Sequence, residues 1–385
     1  MSKRILEIQP SATLSISAKA KNMKAEGKPV ISFSLGEPDF NSPECASKAA
    51  IDAINRGESH YTLNSGIPEL RKEVSNYYKR RFNLEYAPDE VLIAPGAKPL
   101  LYQALQMLVD PGDEVLLFSP AWVSYVEQVH LAGGKDIIVD TLKTDLIPTK
   151  EAIEDVLSSK TVGMIINSPS NPSGAIYDEE TLKMIADIAR EKDLWIIFDE
   201  IYERLVYGPA KHVNILNVAP DLRDRVIIIN GASKAYAMTG WRIGYALAPK
   251  PLIAKMNTLQ THLTSNASSI AQWAAWGAVK DADPDVEKMR QAFEERRGVI
   301  LGLVRDMPYV KVRDPEGAFY IFIDVRESPI PDDMVFCEKL LEEKFVAAVP
   351  GAAFFAPGFI RFSYACSMEN IREGMGRLKE FLSSL

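Results

Sequence analysis

The chain has 385 residues, a formal net charge of −8, and the usual soluble balance of 47% hydrophobic and 25% charged residues. That length supports two domains and a sizeable core, and the acidic balance argues against a general nucleic-acid binder with a basic stripe. Three widely spaced cysteines, Cys45, Cys337 and Cys366, form no C-x-x-C pair, which fits a reducing compartment and gives no disulfide framework or metal site. With no signal-type apolar core after Met1 and no long apolar span, the expectation is a cytoplasmic protein with no membrane contact.

In chain order, Pro10-Ser11-Ala12-Thr13 reads as a helix start, with Leu14, Ala18 and Met23 sharing a face. Val30–Leu35 alternates like a short strand and ends in Gly36-Glu37-Pro38-Asp39. A helix follows from about Pro43 to Arg56, and Pro68 suits a first helical turn because its missing N–H has no partner there. From Val91 to about residue 250 a unit then recurs: a short apolar strand, a loop with a distinctive residue, a helix. Val91–Ala94 leads to Gly96-Ala97-Lys98, Glu114–Phe118 to Trp122, and Val162–Ile166 to Asn171. Leu194–Phe198 leads to Asp199 and Tyr202, and Val226–Ile229 to Lys234. Such alternation predicts an α/β fold with a mostly parallel sheet covered by helices.

Beyond a polar break near Lys280–Pro284 the pattern changes. A charged helix, strand-like Gly317–Ile323, a helix from about Asp332 to Lys344, further strands over Val346–Gly351 and Gly358–Tyr364, and a closing helix read as a smaller α+β domain joined by the strand near Ile31. The predicted division is 1–45 for an N-terminal arm contributing to the small domain, 46–283 for the large domain and 284–385 for the small one.

In open parallel sheets, ligands bind just beyond the carboxyl ends of the strands. Lys98, Trp122, Asn171, Asp199, Tyr202 and Lys234 all fall at those ends, and packing alone gives no reason to gather such groups at one rim. Val226–Ile229 is apolar at every position, which suits a central strand buried on both faces. Lys234 would then emerge into partly dry surroundings, where desolvation lowers an amine's pKa and makes it a nucleophile. Other chemistries lack their motifs. There is no G-x-G-x-x-G, no P-loop and no H-E-x-x-H, and the four histidines are scattered. No S-x-x-K or K-T-G accompanies Ser233-Lys234, against a serine–lysine hydrolase.

The window Gly231-Ala232-Ser233-Lys234-x-x-Ala237-Met238-x-Gly240-x-Arg242-Ile243-Gly244 resembles the lysine signature of class I aminotransferases, pyridoxal-phosphate enzymes of fold type I. Gly36-Glu37-Pro38-Asp39, Asn171-Pro172-Ser173-Gly174, Asp199-Glu200-Ile201-Tyr202, the lysine window and a late strand arginine follow in the family's order. Pro10-Ser11-Ala12-Thr13 and Pro120-Ala121-Trp122-Val123-Ser124-Tyr125 further resemble its bacterial aspartate aminotransferase branch. The resemblance implies a large domain with a mostly parallel seven-stranded sheet and a smaller α+β domain. It also implies pyridoxal 5'-phosphate as cofactor, no metal, and a homodimer whose active sites are shared across the interface.

It implies roles as well. Lys234 would hold the cofactor covalently and then move the substrate's α-proton. Asp199 would pair with the pyridine nitrogen. Tyr202 and Asn171 would bond the phenolic oxygen, and Trp122 would stack on the ring. The phosphate would sit on Gly96, Ala97 and Lys98 at a helix start, with Arg242 adding charge and Tyr61 reaching in from the other subunit. Arg361 would grip the substrate α-carboxylate with its planar fork, and Gly36 would let the backbone approach the substrate.

Two departures narrow the reading. Many relatives carry a serine three residues before the lysine, where this chain has Gly231. The better-known aspartate enzymes read the distal carboxylate with a partner-subunit arginine, and Leu259–Asn266 contains none. The branch resembled here uses a phosphate-loop lysine instead, and Lys98 holds that position, with Ser11 and Thr13 as helpers on a closing N-terminal segment. Gln9 stands where members that also take prephenate tend to carry lysine. The expected reaction is ping-pong transfer of the amino group of L-aspartate to 2-oxoglutarate. The alternatives are an aminotransferase of aromatic or neutral amino acids, a lyase or synthase on the same fold, and a non-catalytic binding protein.

Overall fold

The computed structural model describes Ile5, Leu6, Ile8 and residues 12–385. β1 (Ile31–Ser32) is followed by the strands of the main sheet: β2 (Val91–Ala94), β3 (Glu114–Phe118), β4 (Lys135–Val139), β5 (Thr161–Asn167), β6 (Trp195–Asp199), β7 (Val226–Gly231) and β8 (Gly244–Leu247). These seven run in the order β2-β8-β7-β6-β5-β3-β4. β8 is antiparallel to both neighbours and the remaining pairs are parallel. The mostly parallel seven-stranded sheet is therefore as expected. β4 and β8 had no counterpart in the sequence pattern. β4 is an edge strand that opens on Lys135-Asp136, and β8 is four residues long and lies just beyond the lysine window.

β7 sits between β6 and β8 with every residue buried. Its side chains alternate faces, as a pleated strand requires. Val226 and Ile228 enter one core with the helices Pro68–Phe82, Glu179–Glu191 and Ser269–Asp281. Ile227 and Ile229 enter the other core with the helices Ala97–Leu108, Val123–Ala132 and Lys250–Leu263. Pro68 opens its helix at the first position, as anticipated.

The second part of the molecule contains β9 (Lys311–Val312), β10 (Tyr320–Asp324), β11 (Val346–Ala347), β12 (Val349–Pro350) and β13 (Phe359–Ser363). Four of them form the sheet β12-β13-β10-β9, while β11 pairs in parallel with β1. Ile31 and Phe33 share a core with Phe293, Phe319, Ile360 and Phe381. Ile201, Tyr202, Leu205 and Tyr207, just past the end of β6, join that same core, so the segment carrying Tyr202 lies where the two layers meet.

The N-terminal helix Ala12–Ala25 corrects one expectation. Leu14 and Ala18 are exposed, and the residues turned inward are Ile16, Ala20 and Met23, spaced four and three apart as one helical face demands. Ser11 and the Thr13 side chain lie outside the described residues. Among the described residues no helix is long and apolar enough to cross a membrane, and no cluster fit to hold a metal ion occurs.

Candidate active site

One cavity of about 290 Å³ opens at the carboxyl ends of the main-sheet strands. The structure gathers Gly36, Ala97, Lys98, Trp122, Asn171 and Asp199 around it, together with Tyr202, Lys234, Arg242 and Arg361. Gly96 stands beside it as the residue capping the helix Ala97–Leu108. Tyr61 is 92% exposed and does not line the cavity of its own chain.

Asp199 ends β6 and is buried. Burial pushes its carboxyl up to about 6, against the lowering by the Tyr125 hydroxyl and the Ile201 amide. Tyr125 donates to Oδ2 at 2.7 Å, and the Ile201 N–H donates to Oδ1 at 3.2 Å. Sequence reasoning had not assigned Tyr125. It stands three residues after Trp122 in the same helix start, so the spacing of two aromatics on one face was the available signal. Asn167 was also missed. Its amide donates to the Asp199 carbonyl at 3.0 Å and its oxygen accepts the Asn171 N–H at 2.8 Å, tying the ends of β5 and β6 together.

Lys234 lies in the short helix Ala232–Ala235 directly after β7. Its amine donates to the Gly36 carbonyl at 2.5 Å, and desolvation brings its pKa down to about 8. Gly231 departs from the serine pattern for a local reason. A Cβ there would stand 2.8 Å from the Ile243 carbonyl oxygen and 2.9 Å from the Gly244 Cα, both backbone atoms that cannot swing aside.

Arg361, in β13, is buried. Its guanidinium donates to Asn171 Oδ1 at 2.9 Å and to the Ser34 carbonyl at 2.7 Å, while its buried Nε has no partner. Among the described residues it forms no ion pair. Its ring neighbours are Tyr320, 4.6 Å from the guanidinium carbon, and Phe354 at 5.1 Å. A desolvated guanidinium without a carboxylate is costly, and burial accordingly lowers its pKa. The arrangement calls for an anion from outside.

The remaining cations are exposed. Lys98 lies with its ammonium 4.8 Å from the Trp122 ring centre, its pKa lowered by desolvation and by Arg242. Arg242 donates to the Thr239 carbonyl at 2.9 Å and packs over Gly96. Gly96 has a φ of +104°, a conformation that glycine adopts without strain, and any Cβ there would strike the Arg242 guanidinium. No side chain caps the helix Ala97–Leu108, so its first amides and the positive end of its dipole face the cavity beside Arg242.

These groups fit a phosphorylated pyridine aldehyde. A free helix start with an arginine suits the phosphate, a buried carboxylate suits a ring cation, and a partly neutral amine suits the aldehyde. The fold is that of the type I pyridoxal-phosphate transferases. A family model described as aminotransferase class I and II matches residues 28–378, and the chain belongs to that family. Its relatives narrow the group. An aspartate aminotransferase of Geobacillus stearothermophilus is 44% identical, covering 100% of this chain and 99% of its own. The solved aspartate aminotransferase from Thermus thermophilus with maleate matches with a TM-score of 0.95 at 39% identity over 99% of both chains. That from Thermotoga maritima matches with a TM-score of 0.93 at 41% identity over 100% of both.

Proposed function

We propose that this aminotransferase uses pyridoxal 5'-phosphate to move the amino group of L-aspartate to 2-oxoglutarate. One observation carries the reading: Arg361 and Lys98 line the same cavity as Lys234, and among the described residues neither pairs with a carboxylate. Two such cations suit a substrate with two carboxylates. The relatives named above, one of them solved with the dicarboxylate maleate, support the same choice.

Bound cofactor supplies an electron sink for the charge left at the substrate α-carbon. The rest is done by the chain. Gly96, Ala97 and Lys98 hold the phosphate with Arg242. Asp199 keeps the ring nitrogen protonated. Its burial, costly alone, is relieved by that cation. Asn171 spends its oxygen on Arg361, which leaves its amide for the phenolic oxygen beside Tyr202. Arg361 fixes the α-carboxylate through two parallel donors, and Lys98 reaches the distal one. Lys234, held near the α-carbon with its pKa near 8, takes that proton as a tethered base.

The working unit in this reading is a cytoplasmic homodimer with residues 46–283 as the cofactor domain. Tyr61, outside its own cavity, is offered to the partner's phosphate, and exposed Ile51, Ile54 and Leu63 in the same segment support an interface there. The three free cysteines fit a reducing compartment. Ser11 and Thr13 are proposed to help bind the distal carboxylate.

The test is borohydride reduction with peptide mapping, followed by a panel of amino donors against 2-oxoglutarate. The expected result is cofactor fixed on Lys234 and aspartate as the best donor. Label on another lysine would sink the mechanism, an aromatic or neutral donor in first place would overturn the substrate choice, and turnover without a keto acid would favour a lyase.

A further inference from the structure

Tyr320 belongs to none of the motifs singled out in the sequence, yet it meets three groups of the site. It is fully buried in β10, opposite Ser363, and lines the cavity. Its hydroxyl shares a 2.9 Å hydrogen bond with the Tyr202 hydroxyl. The face of its ring lies 4.6 Å from the Arg361 guanidinium carbon. Its hydroxyl also crowds the loop after β1, where a Cβ on Gly36 would stand 2.6 Å from it. That loop is the one whose Gly36 carbonyl accepts from Lys234. Glycine at position 36 therefore leaves room for the Tyr320 hydroxyl, a reason distinct from the substrate approach expected from the sequence.

The Arg361 charge bears on both members of the Tyr202–Tyr320 pair. Burial raises both phenols and the Arg361 charge offsets part of each rise, with Arg361 lying against the Tyr320 ring. Tyr202 is driven well above the ordinary phenol range, by burial first and then by Tyr320. Either hydroxyl can be the donor of this 2.9 Å bond, and with Tyr320 as donor it runs to the Tyr202 oxygen. Tyr202 then keeps its own proton for a ligand, and a donor that is itself accepting a hydrogen bond is polarised and donates more strongly.

We propose that Tyr320 is a positioning residue that links the substrate-carboxylate site to the cofactor site: with Arg361 against its ring, it donates to Tyr202 and thereby directs and strengthens the Tyr202 hydrogen bond to the cofactor's phenolic oxygen. This rests on the pyridoxal-phosphate reading above.

The test is a pH titration of the bound cofactor's absorbance band in the holoenzyme, for wild type, Tyr320→Phe, Tyr202→Phe and the double variant. Phenylalanine keeps the ring and the packing, so only the hydroxyl is lost. A hydrogen bond to the phenolic oxygen favours its more negative form, so weakening it raises the midpoint. Tyr202→Phe is expected to raise it by about one pH unit, the size of one charge-assisted hydrogen bond. Tyr320→Phe should raise it by a smaller but measurable amount, and adding it to Tyr202→Phe should change nothing further. An unmoved midpoint in Tyr320→Phe, or an equal shift whether or not Tyr202 keeps its hydroxyl, overturns the proposal alone. A wild-type protein without any band dependent on Lys234 overturns the functional reading and the proposal together.

Discussion

The floor of the cavity and its rim are built on different principles. On the floor, Asp199, Tyr202, Asn171 and Arg361 are buried and hydrogen-bonded to one another's neighbours. At the rim, Lys98 and Arg242 are exposed, with Leu14 and Leu35 standing in water at 68% and 53% exposure. Burial makes the floor's charges strong and their pKa values abnormal, because little water competes. Exposure keeps the rim's interactions modest and adjustable. In the proposed function the chemistry belongs to the floor and the choice of side chain to Lys98 at the rim.

The largest expected effect tests the floor. Lys234→Ala should lower transamination by about 10²–10⁴-fold, the usual share of a positioned base, as read by steady-state oxaloacetate formation. A loss of less than about tenfold would mean another group carries the proton. Next, Arg361→Lys should cost about 10²-fold in kcat/KM for every amino donor alike, because a point charge cannot replace a buried bidentate fork. A loss confined to aspartate would move Arg361 functionally to the rim. Lys98→Ala should cost about tenfold with aspartate and almost nothing with an aromatic donor, the smaller size following from its exposure. Equal losses would erase the distinction between the two regions.

The mildest effect concerns pH. A lysine whose folded pKa is lowered gains neutral amine as pH rises through that value. With Lys234 near 8, capture of pyridoxal phosphate by the apoprotein should rise about fivefold between pH 7 and 8 and then flatten. Asp199 adds the acid limit. A carboxyl near 6 is protonated below that pH and cannot pair with a ring cation, so retention should weaken under about pH 6. A capture rate still climbing at pH 10 would place Lys234 in solvent like the rim residues.

Much of this was legible in the chain because strand-end residues follow their strands at short range. Val226–Ile229 announced a strand buried on both faces, and Lys234 follows within a few residues. The misses were of two kinds. Leu14, Ala18 and Met23 were grouped on one helical face, but a short, mostly polar helix has too few apolar residues to fix its phase, and packing against Val30 and Leu341 chose Ile16, Ala20 and Met23. Tyr125, Asn167 and Tyr320 were missed because their roles depend on partners 74, 32 and 118 residues away.

The sequence by itself determined the alternation of strand and helix, the sheet's mostly parallel character and the residues at its rim, since each depends on local periodicity and turn chemistry. Tertiary structure alone decided which side chains lie dry, which charges go unpaired and which hydroxyls meet. Gly36 shows the difference. Its identity is plain in the chain, but the reason for it is the Tyr320 hydroxyl, brought against it from nearly three hundred residues away when β10 packs beneath the loop after β1. Desolvation and distance are properties of the packed whole, and no local pattern encodes them.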